Sequence, residues 1–274
     1  MKEVKTTFST CWYRLKAKFD ATIYLTWIDN MLKNVNQYYL VIYCDTDSYS
    51  DLEKYAVANE RIKVILFPLE KFHGYQYKEF WVKNHQKNNL LNQNTGWEVN
   101  MLWNEKIWFV ENTIREKYFA TMTDYYGWCD IGYFRGRPDD LPSSLYGLWP
   151  NNEKISLLDK SRIHYALINN NHSYLQFLHQ LIQRIDVSKI EIPPFQLSIA
   201  GGFFILAKEK MDWWKEEYQK KLESYILNDR LVKDDQIILV DCIFSNRNLE
   251  EHFILYQERE PEFDNWFMFQ RILL

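Results

Sequence analysis

The alternation of strand and helix patterns near the start of this chain is the feature that most constrains its fold. Residues 4–12, 38–44 and 63–68 are short runs rich in apolar, aromatic or β-branched side chains, which is typical of buried strands. Helix signals lie between these runs, in residues 21–35 and in a segment that ends near residue 59. A β-α-β-α-β order predicts a parallel sheet with right-handed crossovers.

Two local signals predict these helices. Ile23, Trp27 and Met31 recur at the spacing of one helix face. Ser50 and Glu53 match a capping box, which predicts that the second helix begins at Ser50.

The remaining chain has both kinds of element, with no internal repeat and no Gly/Ser-rich linker. The patterns predict helices over residues 97–119, 173–185, 211–226 and 234–244, and strands over 124–134 and 196–207. We interpret the polar residues 72–100 as a mobile insertion, and residues 245–274 as a C-terminal extension packed on the core. The expected fold is a single α/β domain over residues 1–274, Rossmann-like, with a mostly parallel central sheet and helices on both faces.

Composition excludes several classes of function. The net charge is −4 and the basic residues are scattered, which argues against nucleic acid as a partner. The four cysteines form no CxxC pair, and reduced thiols suit a cytoplasmic protein. No signal peptide and no apolar run of about 18 residues is evident. We therefore expect a soluble cytoplasmic protein without a transmembrane segment, or one that binds a membrane peripherally.

The aromatic content of 17% has two interpretations. Exposed rings stack on the apolar faces of sugars, but a compositional bias toward tyrosine and asparagine gives the same number. The chain has no GxxxxGK[ST] and no GxGxxG after its first strand, which argues against a P-loop kinase and against NAD binding. It has no GxSxG, which argues against a hydrolase with a nucleophile elbow. No HxH or HExxH pair indicates a zinc site.

Ligands of parallel sheets bind at the carboxyl ends of strands, which directs attention to the residues that follow each strand. Cys11, Trp12 and Tyr13 end the first strand. Asp130 and Gly132 follow a later one, where an aspartate can hold a divalent metal near phosphates and a glycine admits a ligand close to the backbone. The same pair could simply form a turn.

Three further motifs have both a functional and a structural interpretation. Asp45-Thr46-Asp47 spells DxD, but its position favours a turn and a helix start over a metal site or a ribose contact. Gly201-Gly202 inside a strand indicates close approach of a ligand. Asp235-Gln236 either begins a helix, where the dipole favours acidic residues, or lies beside a reacting sugar.

The run Trp128-Cys129-Asp130-Ile131-Gly132-Tyr133-Phe134-Arg135 resembles the W-x-D-x-G-x-x-R signature of the HtrL/YibB family, which is classed as glycosyltransferase-like. The likeness extends to Gly201-Gly202-Phe203-Phe204, to Asp234-Asp235-Gln236 and to a lysine at position 106. It spans the chain from the first strand to about residue 244. It implies a GT-A-type fold and sugar transfer.

A more distant resemblance is to glycogenin-like transferases, which have an N-A-G strand followed by a helix that starts with D-Q. That likeness makes Asp130 a metal ligand, places Lys106 on the donor, and puts Asp235 and Gln236 beside the anomeric carbon. The chain departs from the pattern, since Gly132 replaces the second acid of the metal motif. The C-terminal H-x-x-G-x-K metal motif is also absent.

Together these observations predict a glycosyltransferase that uses a nucleotide-sugar, UDP-linked, and Mn²⁺ or Mg²⁺. Its acceptor would be a glycan, a protein or a lipid-linked molecule. The candidate catalytic residues are Asp235 and Gln236, and the metal ligand is Asp130. The candidate donor-binding residues are Cys11, Trp12, Tyr13, Lys106, Asp130, Gly132, Arg135, Gly201 and Gly202. The alternatives are a degenerate transferase that only binds nucleotide or glycan, and a nucleotidyltransferase.

Overall fold

The described part of the chain, residues 4–183, 192–246, 248–258, 260 and 262–274, is built around one seven-stranded sheet in this computed structural model. The strands are β1 (Thr6–Trp12), β2 (Tyr39–Cys44), β3 (Ile62–Leu66), β4 (Tyr125–Cys129), β5 (Ile163–Leu167), β6 (Phe203–Ala207) and β7 (Phe253–Gln257). Their order is β3-β2-β1-β4-β6-β5-β7.

Most neighbouring strands are parallel. β1 pairs with β2 and β4, β2 pairs with β3, and β5 pairs with β7, all in parallel. β6 runs antiparallel between β4 and β5. The predicted parallel β1-β2-β3 unit and the predicted α/β fold class are confirmed.

Helices cover both faces of the sheet. The α-helices are α1 (Ala21–Leu32), α2 (Thr46–Ala58), α3 (Lys78–Lys87), α4 (Trp97–Asn104), α5 (Lys106–Glu116), α6 (Asn152–Ser156), α7 (His172–Gln183), α8 (Met211–Leu227), α9 (Asp235–Ser245), α10 (Leu249–His252) and α11 (Phe269–Ile272). Buried side chains of α5, α8 and α9 form one core with the sheet, and those of α1, α2 and α11 form a second core on the opposite face. Side chains alternate between the two faces along each strand, so both faces are apolar.

The capping-box prediction at Ser50 is wrong. Helix α2 begins at Thr46, because the side chain of Asp45 accepts the backbone N–H of Ser48 at 2.9 Å and caps the helix earlier. The first aspartate of the DxD run is therefore a capping residue, as its position after β2 suggested.

The prediction of one long helix over residues 97–119 is also wrong, because the helix is interrupted at Glu105, between α4 and α5. The buried carboxylate of Glu105 accepts the backbone N–H groups of His73 at 2.6 Å and Gly74 at 3.0 Å. These bonds satisfy two donors of the preceding segment. The break makes Lys106 the first residue of α5.

Two strands are shorter than predicted. β4 ends at Cys129, so Asp130 lies just past its carboxyl end, and the apolar residues beyond it pack in a turn. β6 begins at Phe203, after the two glycines, although Ile199 still forms an isolated bridge to Leu167.

Residues 72–100 contain α3 and the start of α4, and polar side chains connect them to the loop before α9. Asn84 and Asn100 each donate to the carbonyl of Val232 at 2.7 Å, and Asn84 also accepts the N–H of Val232 at 2.8 Å. Mobility of this segment stays a prediction. At the C-terminus, β7 joins the edge of the sheet beside β5, and Phe269 is fully buried.

Gly127 in the middle of β4 allows the close approach of β6. A Cβ at this position would overlap the backbone oxygen of Phe204 and lie 3.1 Å from the Cα of Ile205. These are backbone atoms of a central strand, which cannot move aside without disturbing the ladder.

We therefore expect Gly127→Ala to lower the free energy of unfolding by about 3 kcal/mol, measured by urea denaturation. Gly96→Ala is a matched control, because a Cβ there meets only the end of the flexible Glu98 side chain at close range. It should change stability by less than about 0.5 kcal/mol. Equal stabilities of the two variants would contradict this account of β4.

Candidate active site

A cleft lies at the carboxyl ends of the neighbouring strands β1 and β4. It has two parts that share the side chains of Phe19, Tyr24, Trp103, Asp130 and Arg135 as well as Gly132. The first part is bounded by the end of β1, by α1 and by α4, and the second by the residues before β6 and at the start of α9. Every site residue predicted from the sequence lines one part or both: Cys11, Trp12, Tyr13, Lys106, Asp130, Gly132, Arg135, Gly201, Gly202, Asp235 and Gln236.

The second part of the cleft is the charged part, and Lys106 lies at its centre. Its ammonium lies 3.2 Å from Oδ1 of Asp130 and 2.9 Å from Oδ2 of Asp235, and it donates to the carbonyl of Gly201 at 2.7 Å. Burial alone would lower the pKa of Lys106, but the two carboxylates outweigh it and raise the pKa above its ordinary value. The lysine is therefore charged and held in place by two acids and a backbone oxygen.

The two glycines before β6 make this arrangement possible. A Cβ on Gly201 would overlap the carboxylate of Asp235, and a Cβ on Gly202 would lie 3.2 Å from Oδ2 of Asp130. The backbone at these positions also takes part, since Gly202 accepts the N–H of Asp130 at 2.9 Å. The sequence pattern predicted the close approach of a ligand here, which stays a prediction, and the groups that lie close to the two glycines are the carboxylates of Asp235 and Asp130.

Asp130 is more accessible than the other members of this network. Its Oδ1 also accepts the indole N–H of Trp128 at 2.5 Å, which fixes the carboxylate. Its side chain is nevertheless 42% exposed, compared with 9% for Asp235. Asp130 can therefore contact a molecule in the cleft directly.

Helix α9 begins at Asp235, and the preceding residue Asp234 makes no side-chain capping bond. The prediction that Asp235 begins a helix, where the dipole favours an acid, is therefore confirmed, and its side chain also contacts the Lys106 ammonium. Burial raises its pKa, and Lys106 partly offsets that effect. Gln236 donates through Nε2 to the carbonyl of Ile199 at 3.0 Å, so its amide orientation is fixed.

Arg135 lies where the two parts of the cleft meet. Its guanidinium carbon is 4.4 Å from the ring centroid of Trp27, 4.9 Å from that of Phe267 and 5.4 Å from that of Phe19. Its Nε donates to the carbonyl of Gly132 at 3.1 Å. Aromatic faces thus hold this cation in position.

Cys11, Trp12 and Tyr13 present apolar surface to the other part of the cleft. The polar atoms of the two aromatic residues are already bonded: Trp12 Nε1 donates to Asp51 at 2.7 Å, and the Tyr13 hydroxyl donates to the carbonyl of Phe67 at 2.6 Å. Burial raises the pKa of the Cys11 thiol well above its ordinary value, so it is not a thiolate. Each of these residues is at most 6% exposed, so a small part of each side chain faces the cleft.

Several further residues that line the cleft were not indicated by sequence patterns. Among them are Lys18, Phe19, Tyr24, Trp103 and Trp266. They come from α1, from the segment before it, from α4 and from the C-terminal region. No motif connects such distant segments, so only the three-dimensional arrangement reveals them. Asp45 and Asp47 do not line the cleft.

A divalent cation prefers several oxygen ligands with open coordination positions. The carboxylates of Asp130 and Asp235 both already contact the Lys106 ammonium. Among the described residues, no group of three or more His, Cys, Asp or Glu side chains is placed to share an ion. In this arrangement the residues do not fit a resident Mn²⁺ or Mg²⁺.

No family model and no curated protein matches the chain, so the likeness to the HtrL/YibB family stays a resemblance. Solved structures that are similar include the apo form of mouse xyloside xylosyltransferase 1, with 12% identity, a TM-score of 0.46 and coverage of 93% of this chain and 85% of that one. Another is galactosyltransferase LgtC in complex with donor and acceptor sugar analogues, with 10% identity, a TM-score of 0.42 and coverage of 86% and 69%. Within the described residues, no helix has the length and apolar character needed to cross a membrane.

The buried pair of Lys106 and Asp235 generates a stability prediction. Removing only one charge of a buried pair leaves the other without compensation, which costs about 3–5 kcal/mol. We expect Lys106→Met to lower the free energy of unfolding by about 3 kcal/mol at neutral pH. The double variant Lys106→Met/Asp235→Leu should recover at least half of that loss. Urea denaturation of the set measures both effects.

Lys83→Met is the matched control, because Lys83 pairs with Asp229 at 2.8 Å on an exposed surface. It should change stability by less than about 1 kcal/mol. A Lys106→Met variant as stable as Lys83→Met would show that the buried network does not contribute to stability as described.

Proposed function

We propose that this chain transfers a sugar from a nucleotide-sugar donor, UDP-linked, to an acceptor hydroxyl group. The observation that carries the proposal is a single cleft at the carboxyl ends of β1 and β4. In this cleft the part lined by Cys11, Trp12 and Tyr13 joins the charged part. Open α/β sheets bind nucleotides at this edge. A nucleotide-sugar also has two unlike ends, a flat base at one end and a charged diphosphate and sugar at the other.

The base would lie against the apolar surfaces of Cys11, Trp12 and Tyr13, whose polar groups are engaged elsewhere. The diphosphate would then reach the junction of the two parts, where Gly132 and Arg135 are found. Beyond the junction, the sugar would enter the part lined by Asp130, Gly201, Gly202, Asp235 and Gln236.

The reaction breaks the bond between the anomeric carbon and the β-phosphate oxygen, and the electron pair of that bond leaves with the nucleoside diphosphate. The acceptor oxygen forms the new bond to the anomeric carbon and releases its proton to solvent. Positive charge develops on the sugar ring during this exchange. The Asp235 carboxylate and the fixed Gln236 amide are the groups we propose to stabilise it.

The metal ion implied by the sequence resemblances has no step in this proposal, because the charged residues do not fit it. Lys106 holds the Asp235 side chain in place through the 2.9 Å ion pair. Arg135 lies where negative charge would build up on the departing diphosphate.

The first test is a thermal-shift screen of the protein against nucleotide-sugars, with and without Mn²⁺. A ligand that binds only the folded state stabilises it by about 2.7 kcal/mol at one hundred times its Kd. We expect UDP-sugars to raise the Tm and nucleotide-free sugars to leave it unchanged. Binding without any turnover in acceptor screens would favour the degenerate, binding-only alternative. No shift with any nucleotide-sugar would contradict the proposal.

The second test concerns Asp235 and Gln236. Groups that act mainly in the transition state lower kcat and kcat/KM together and leave donor affinity nearly unchanged. We expect Asp235→Asn and Gln236→Ala each to lower kcat by about a hundredfold, measured with an active donor and acceptor. Asp212→Asn is the matched control, because Asp212 lies in the first turn of α8 and is exposed. Near-wild-type kcat for Asp235→Asn would limit this residue to a structural role.

A further inference from the structure

We propose that the cleft binds the diphosphate of its donor through the cationic side chains of Arg135 and Lys18, with Lys106 as the fixed cation between the two acids, and requires no divalent metal ion. The inference rests on the proposed function and specifies how the charged part of the cleft performs it.

Lys106 is a buried cation between two acids. Its ammonium lies between the carboxylates of Asp130 and Asp235, 3.2 Å and 2.9 Å from them. It is 6% exposed and is fixed by the carbonyl of Gly201 as well. A metal ion shared by these two carboxylates would have to displace a buried ammonium from its oxygen ligands. The chain thus already supplies a cation between these two acids.

Arg135 is a second cation of the cleft. Across the described ranges, no carboxylate forms an ion pair with this guanidinium, and its recorded bond is to the carbonyl of Gly132 at 3.1 Å. The neighbouring Arg137 differs, since it pairs with Asp139, Asp140 and Asp264. A guanidinium that is packed between rings but has no anionic partner is positioned to bind an anion.

The charged part of the cleft has an excess of positive charge. Lys18 lies at the opening of the charged part, with its ammonium 4.8 Å from the ring centroid of Trp103. The remaining acid, Asp234, is paired with Lys233 at 3.1 Å. Three cations therefore face two carboxylates, and one positive charge is in excess before a ligand enters. This excess favours an anionic ligand without an added cation.

A guanidinium can donate two parallel hydrogen bonds to phosphate oxygens, which makes arginine well suited to this ligand. When the bond to the sugar breaks, the additional negative charge on the diphosphate appears beside Arg135. Fixed donors at the point where charge develops stabilise the transition state in the way a metal ion does elsewhere.

The experiment is calorimetric titration of the protein with UDP, uridine and inorganic pyrophosphate. Each titration is performed in EDTA after removal of metals and again with Mn²⁺. We expect UDP and pyrophosphate to bind in EDTA, with Kd values within about threefold of those in Mn²⁺, which is less than one hydrogen bond contributes. UDP that binds only with Mn²⁺ overturns this inference but leaves the proposed function standing. UDP that binds in neither buffer overturns both.

Variants then identify the cations. Arg135→Gln should weaken UDP in EDTA by about tenfold or more, the loss expected for a charged hydrogen bond, and leave uridine unchanged. Lys18→Met tests the same idea at an exposed position, where folding is not at risk, and should weaken UDP less. Arg162→Gln removes one exposed positive charge outside the cleft and is the control. Equal UDP affinity in Arg135→Gln, Lys18→Met and Arg162→Gln would overturn the inference.

Discussion

The contact of one buried lysine with two acids and a backbone oxygen holds the centre of this molecule together. Lys106 at the start of α5 meets Asp130 after β4, Gly201 before β6 and Asp235 at the start of α9. An unpaired ammonium at this depth would cost several kcal/mol, so each partner must be in place. The need to pair this ammonium determines how the helices on one face meet the end of the sheet.

Several local features serve this contact. The helix break at Glu105 makes Lys106 the first residue of α5, and Glu105 itself holds the backbone at His73 and Gly74. Gly201 has no side chain where the Asp235 carboxylate must lie. Gly127 permits β6 to lie against β4, which brings the two glycines before β6 next to Asp130.

The sequence predicted the local parts of this site better than their connections. Strand periodicity and motifs located Asp130, Gly201 and Asp235, because each follows or begins a recognisable element. The contact of Lys106 with both acids was not predictable from sequence patterns, because it depends on the antiparallel pairing of β4 with β6. The long-helix prediction was wrong because the apolar pattern continues across Glu105, whose bonds to a distant segment leave no local signal.

Strands β5 and β7 were not predicted from the sequence, for a different reason. β5 and β7 have five residues each, and four of the five in β7 are only partly buried. Strands of five residues are too short for their pattern to be distinguished from that of a buried helix segment. The cleft residues Phe19, Trp103 and Trp266 were missed because their role comes from meeting across the fold.

The most direct test of the account is a crystal structure of the protein bound to UDP and prepared without divalent cations. The account predicts the uracil ring against Cys11, Trp12 and Tyr13, phosphate oxygens within hydrogen-bond distance of Arg135, and Lys106 still between Asp130 and Asp235. A diphosphate bound away from Arg135, or UDP that enters the cleft only when a metal ion displaces Lys106 from the two acids, would contradict it.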